Sequence, residues 1–178
     1  MKSMKDSLVN KVALSGLVTF NLENYYPEGS RTFLDIKDTL FMGMVLKEKD
    51  FRNWIKEHDW NVYLSHHVAI GCSVDAIIPT WAYMLIASKL KDIATTVHFG
   101  NLNSLENELW LKALSDIDFN QFTDAKMVIK GCSDKEVSPF AYVYVTERLV
   151  GVAQSVMFGE PCSTVPVYKR KKSISSEA

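Results

Sequence analysis

Residues 66–101 read HHVAIGCSVDAIIPTWAYMLIASKLKDIATTVHFGN, and residues 126–160 read KMVIKGCSDKEVSPFAYVYVTERLVGVAQSVMFGE. Each stretch opens on a buried-type strand, passes through Gly-Cys-Ser into an apolar helix, and closes on a strand ending in Phe-Gly. The same signposts recur in the same order. Gly71-Cys72-Ser73, Pro79, Ala82-Tyr83, Leu90, Ala94, Val97 and Phe99-Gly100 are answered by Gly131-Cys132-Ser133, Pro139, Ala141-Tyr142, Leu149, Ala153, Val156 and Phe158-Gly159. Strands separated by helices of this length are the signature of βαβ units in a parallel sheet. The reading that follows is an α/β fold, three-layered and mainly parallel, built from a duplicated βαβ unit.

Taken in order after residue 65, the four strands are expected in one sheet with order 2-1-3-4, the two halves meeting between the first and third. Such a reversal is a topological switch point, where open α/β sheets place ligands beyond the strands' carboxyl ends. Cys72 follows the first strand, Cys132 the third and Cys162 the fourth, so this topology predicts that all three thiols converge on one edge. Each is followed by a serine, Ser73, Ser133 and Ser163. A serine hydroxyl is a donor able to support a thiolate or a bound cofactor.

Outside the repeat, residues 6–16 read as a short helix, 17–22 and 32–36 as strands, and 47–58 as a helix. Residues 40–46 read as a further strand or as buried helix. These make an N-terminal antiparallel or mixed β extension. One domain over residues 1–170 is expected, with internal repeat 66–101 and 126–160, and a disordered basic and polar tail over 171–178.

Bulk composition narrows the function classes. Of 178 residues 47% are hydrophobic and 23% charged, the ordinary globular range. A net charge of −1 gives no basic footprint for nucleic acid. No apolar run approaches the ~20 residues of a membrane span, and the first residues lack a signal peptide's apolar core. Three cysteines are too few for a disulfide framework in this length. The expected setting is the cytoplasm.

Three converging thiolates point first to zinc or an iron–sulfur cluster held by Cys72, Cys132 and Cys162, with Ser73, Ser133 and Ser163 as supporting donors. Two other readings stand beside it: thiol or redox catalysis by one cysteine, and a non-catalytic module binding a small ligand or a partner protein. No Gly-rich phosphate loop is present. His66 and His67 begin the first strand, roughly 17–20 Å from Cys72 at ~3.3 Å per residue, on the opposite edge at the surface. His98 lies near the correct edge and reads as a satisfied strand histidine. Asp75, Asp134 and Glu160 are candidate ligands, second acceptors or caps. Asp35, Asp38, Glu48, Asp50 and Arg52 form a cluster for which a paired-carboxylate catalytic site is one reading and solvated turn and helix charges the ordinary one.

Long motifs carry a resemblance. Glu28-Gly29, Asp35-Ile36-Lys37-Asp38, residues 46–52, Glu57-His58-Asp59-Trp60, Cys72-Ser73, residues 75–84, residues 129–133 and residues 159–166 together resemble a bacterial family of this length, catalogued as a domain of unknown function. The resemblance spans about residues 7–170 and implies no activity. Its loose association with iron–sulfur assembly genes implies iron or a cluster rather than zinc, and iron–sulfur assembly proteins as partners.

Overall fold

The computed structural model describes residues 16–131 and 135–171. The helix expected over residues 6–16 lies, Gly16 apart, outside the described residues, as do Cys132, Ser133, Asp134 and nearly all of the tail. The fold is mixed α/β, and it divides into two compact units. One is continuous, Glu28–Leu109; the other joins Met1–Pro27 to Trp110–Ala178.

In the continuous unit, strands β2 (Arg31–Asp35), β3 (His67–Gly71) and β4 (Thr96–Phe99) form a parallel sheet in the order β2-β3-β4. Helix α1 (Glu48–Glu57) connects β2 to β3, and α2 (Thr80–Leu90) connects β3 to β4. Both helices cover the same face, because Phe51 and Ile55 of α1 share a cluster with Ala82, Ile86 and Leu90 of α2. Leu34, Ile36, Val68 and Ile70 supply the sheet side of that cluster. Alternate residues point the other way. Phe33 and Ala69 pack on Leu105 and Leu109, from the first half of α3 (Leu102–Ser115). With both faces covered, every residue of β3 is buried, and its sequence HVAIG is a near-continuous apolar run instead of an alternating one.

The split unit holds β1 (Leu17–Asn21), β5 (Lys126–Lys130), β6 (Ser155–Glu160) and β7 (Ser163–Lys169) in the order β1-β5-β6-β7. The first three are parallel; β7 returns antiparallel to β6. Helix α4 (Pro139–Leu149) connects β5 to β6. Its Ala141, Val145 and Leu149 pack with Phe20, Met127, Ile129 and Val156, and with Trp110 and Leu114 from the second half of α3.

The single sheet of order 2-1-3-4 is therefore not the arrangement found. A strand has two edges, and both edges of β3 and of β5 are taken. The N-terminal strands, expected as an antiparallel or mixed extension, pair in parallel with them: β2 with β3 and β1 with β5. Residues 40–46 also differ from expectation. They form a tight turn closed by a Phe41–Val45 bridge, with Met42 at φ 52° and Met42 and Met44 exposed.

The two units share internal geometry at a constant spacing along the chain. Asp59 and Asp118 each start a 3₁₀ turn, at the same φ of −78°, with the carboxylate accepting the N–H of Asn61 or Asn120. Ser65 and Asp124 are both left-handed, at φ 62° and 59°. Ala82 and Ala141 are fully buried, as are Leu90 and Leu149. Tyr83 meets Phe99 edge-on at 4.8 Å, and Tyr142 meets Phe158 edge-on at 5.5 Å. The same spacing governs strand register: Leu34 pairs with Ile70 as Phe20 pairs with Ile129, and Asp35 with Gly71 as Asn21 with Lys130. Gly71 thus corresponds to Lys130, and Cys72 to Gly131. In the fold the equivalent of Cys72 is therefore a glycine, one residue off the alignment of the Gly-Cys-Ser motifs in sequence.

Candidate functional site

The three strands of the continuous unit end side by side at Asp35, Gly71 and Phe99. The carboxyl edge of a parallel sheet is where connecting loops are free to shape a site. Here the loop after β3 is fastened to the end of β2. The Asp35 carboxylate accepts the Ser73 N–H at 3.1 Å and the Ser73 hydroxyl at 2.5 Å, together with the Lys37 N–H at 3.1 Å. The Lys37 ammonium stands 3.5 Å away. Burial pushes the Asp35 acid upward, but the Ser73 and Lys37 hydrogen bonds and the Lys37 charge outweigh it and hold the carboxyl below its ordinary value.

Beyond this clasp lies a cavity of about 350 Å³, bordered by Cys72, Asp75, Tyr83, Phe99, Gly100 and Asn101, with Phe33 and Ile78 adding apolar wall. Two glycines let backbone form part of the lining. A Cβ on Gly71 would stand 2.8 Å from the Gly100 carbonyl oxygen and 3.0 Å from the Phe33 ring. Gly100 has φ 146°, and a Cβ there would overlap Ser104 Oγ and lie 2.9 Å from His98 Nε2. Cys72 is half-buried. The Tyr83 phenol is pushed up, first by burial and then by neighbouring Cys72, so it stays neutral across the physiological range.

The Gly100–Asn101 wall is held from behind. Asn101 and Ser104 cap α3 reciprocally: Asn101 Oδ1 accepts the Ser104 N–H at 2.9 Å and Ser104 Oγ accepts the Asn101 N–H at 3.0 Å. His98 bridges this cap to the next turn, with Nδ1 on Glu108 and Nε2 2.8 Å from Ser104 Oγ. The Ser104 hydroxyl also donates to the Asn101 carbonyl oxygen at 2.9 Å, which completes the cap. His98 is thus the satisfied strand histidine expected from sequence, and its partners are Ser104 and Glu108.

The remaining sequence candidates fall elsewhere. Cys162 is exposed in the two-residue turn between β6 and β7, in the split unit. It does not follow a strand of the sheet that carries Cys72, so the shared edge expected to gather the thiols is absent. Ser73 is committed to Asp35, not to a thiolate. Ser163 opens β7 opposite Glu160, whose carboxylate meets the Lys130 ammonium at 3.2 Å. Cys132 and Ser133 lie outside the described residues. Among the described residues no three His, Cys, Asp or Glu side chains stand together as a metal-holding group.

His67, expected at the surface, is buried at the opposite edge of the sheet. There Nδ1 meets Thr96 Oγ1 at 3.0 Å and Nε2 meets the Glu28 carbonyl oxygen at 2.8 Å. His58 sits 4.7 Å from both Trp54 and Trp60, with Nε2 3.2 Å from the Tyr63 hydroxyl. Glu48 and Arg52 form an ordinary i,i+4 pair on α1 at 2.8 Å. The residue that sequence reasoning undervalues is Asp35, grouped there with solvated charges. The available signal is its position at the end of β2, beside the β3 loop.

No helix among the described residues is long and apolar enough to cross a membrane. No curated protein and no solved structure matches the chain. One family profile does, over residues 6–170, nearly the whole length, and the chain belongs to that family, described as Protein of unknown function (DUF2480).

Proposed function

We propose that the Glu28–Leu109 unit is a small-molecule-binding module whose ligand enters the cavity at the carboxyl ends of β3 and β4. The observation that carries this reading is the cavity itself. It joins apolar walls, backbone at two glycines and four polar side chains (Cys72, Asp75, Tyr83 and Asn101) at the edge where α/β sheets take ligands. A non-catalytic role is favoured over thiol catalysis because no histidine or lysine is among the described residues lining the cavity to activate Cys72. The shared geometry of the two units supports their origin by duplication; the split unit has a cavity of about 520 Å³ beside the equivalent Tyr142 and Phe158, but its described lining is largely apolar, with Thr146 and Glu147 its polar side chains.

The test is a fragment screen read by amide chemical shifts. Binders should perturb Gly71, Cys72, Asp75, Tyr83 and Asn101 together, and an Ala76→Trp variant, filling the space, should lose them. Hits scattered over the surface and indifferent to Ala76→Trp would contradict the reading. The three-thiol reading, zinc or an iron–sulfur cluster on Cys72, Cys132 and Cys162 with assembly proteins as partners, has a separate test: metal analysis and a visible spectrum after anaerobic purification. Stoichiometric metal lost in each single Cys→Ser variant would replace the present proposal.

A further inference from the structure

The chemistry of the cavity wall specifies the charge of what it holds. Asp75 is the one charged side chain among the described residues that line it; no lysine, arginine or histidine is among them. The nearby ammonium of Lys37 stands beside Asp35. A helix start is often an anion site, because its first N–H groups lack partners. Here two of the first N–H groups of α3, those of Asn101 and Ser104, are already bonded within the reciprocal cap, and the start of α2 at Thr80 brings no cationic side chain to the described lining. What borders the space instead is one carboxylate, the neutral oxygens of Tyr83 and Asn101, and the rings of Phe33, Tyr83 and Phe99. Carboxylate and aromatic faces both attract cations.

From this wall we infer that the ligand is a small organic cation, an amine carried on an apolar body. The apolar part replaces water against Phe33, Ile78 and Phe99, and the ammonium meets Asp75. Asp75 is exposed in a loop, so its replacement leaves the core intact. The inference rests on the cavity being the ligand site, and its test separates the two claims.

Calorimetric titrations with phenethylamine, phenethyl alcohol and phenylacetate compare one apolar body with a cationic, a neutral and an anionic head. The amine should bind about tenfold more tightly than the alcohol, a difference of about 1.4 kcal/mol, and the acid most weakly. Asp75→Asn should erase the amine's advantage while leaving the alcohol's affinity unchanged. Binding of the acid at least as tight as that of the amine, or an amine preference that survives Asp75→Asn, would overturn the cation assignment and leave the cavity standing. Silence from all three probes in the wild-type protein would overturn both.

Discussion

Ser73 gives both its backbone N–H and its hydroxyl to the carboxylate of Asp35, at 3.1 and 2.5 Å, and so fastens the loop after β3 to the end of β2. This single contact changes the meaning of the Cys72-Ser73 pair. The serine shapes the cavity by fixing where the loop leaves the sheet, and it is not held in reserve for the thiol. Replacing Ser73 with Ala removes one hydrogen bond to a partly solvated carboxylate. The expected loss is about 1 kcal/mol in urea unfolding, with broadened amide signals confined to residues 72–78.

The same clasp sets an acid limit. The Asp35 carboxyl is held below its ordinary value in the fold, so on acidification the unfolded chain takes up that proton first. The stabilisation is complete above the ordinary aspartate range and disappears as the pH falls through the lowered native value, below about pH 4. An Asp35→Asn variant should be less stable than wild type at pH 7, and the gap should narrow toward pH 3. A gap independent of pH would mean that the carboxylate contributes only shape.

His58 adds a second pH dependence. Burial among Trp54, Trp60 and Tyr63 lowers its affinity for a proton, opposed by the neighbouring Asp59 charge. With the native value lowered, stability is complete above the ordinary histidine range and declines as the pH drops below about 6.5. Thermal melts should show a lower Tm at pH 5.5 than at pH 7.5, and His58→Gln should flatten that slope. An unchanged slope in the variant would assign the effect to another group.

Two left-handed glycines separate strain from crowding. Gly151 has φ 87° with nothing within 4 Å of where an alanine methyl would stand, whereas a methyl on Gly100 would collide with Ser104 and His98. Gly151→Ala should cost about 1–2 kcal/mol from backbone conformation alone. Gly100→Ala should cost about 3 kcal/mol or more, because the α3 cap must also move. Equal losses in urea unfolding would show that the cap yields freely.

Much of the local structure is legible in the chain because apolar periodicity marks strands and helices directly. The HVAIG run forms β3, the Phe51–Ile55 spacing forms α1, and the long apolar stretch forms α2, each at the position its pattern predicts. Partnership is not legible. Periodicity says that β3 is buried on both faces but not that β2, rather than β5, lies beside it. Residues 40–46 mislead because an apolar run suggests burial, whereas Met42 and Met44 project from a turn. The strand β7 gives little signal, since its Ser163–Lys169 segment carries Pro166 and lies past the second Phe-Gly. In the site, Cys72 and Asp75 stand out through their neighbourhood in sequence. The Asp35 clasp and the His98–Ser104 bridge depend on contacts between separate elements, which spacing along one chain does not encode.

The central claim, that a ligand occupies the space beside Cys72, is tested most directly by the rate at which that thiol is alkylated. Iodoacetamide modification of the Cys72 and Cys162 peptides, followed by mass spectrometry, gives two clocks in one sample. Saturating phenethylamine should slow modification of half-buried Cys72 several-fold and leave exposed Cys162 unchanged. Equal rates at Cys72 with and without the amine, or equal slowing of both thiols, would contradict the account.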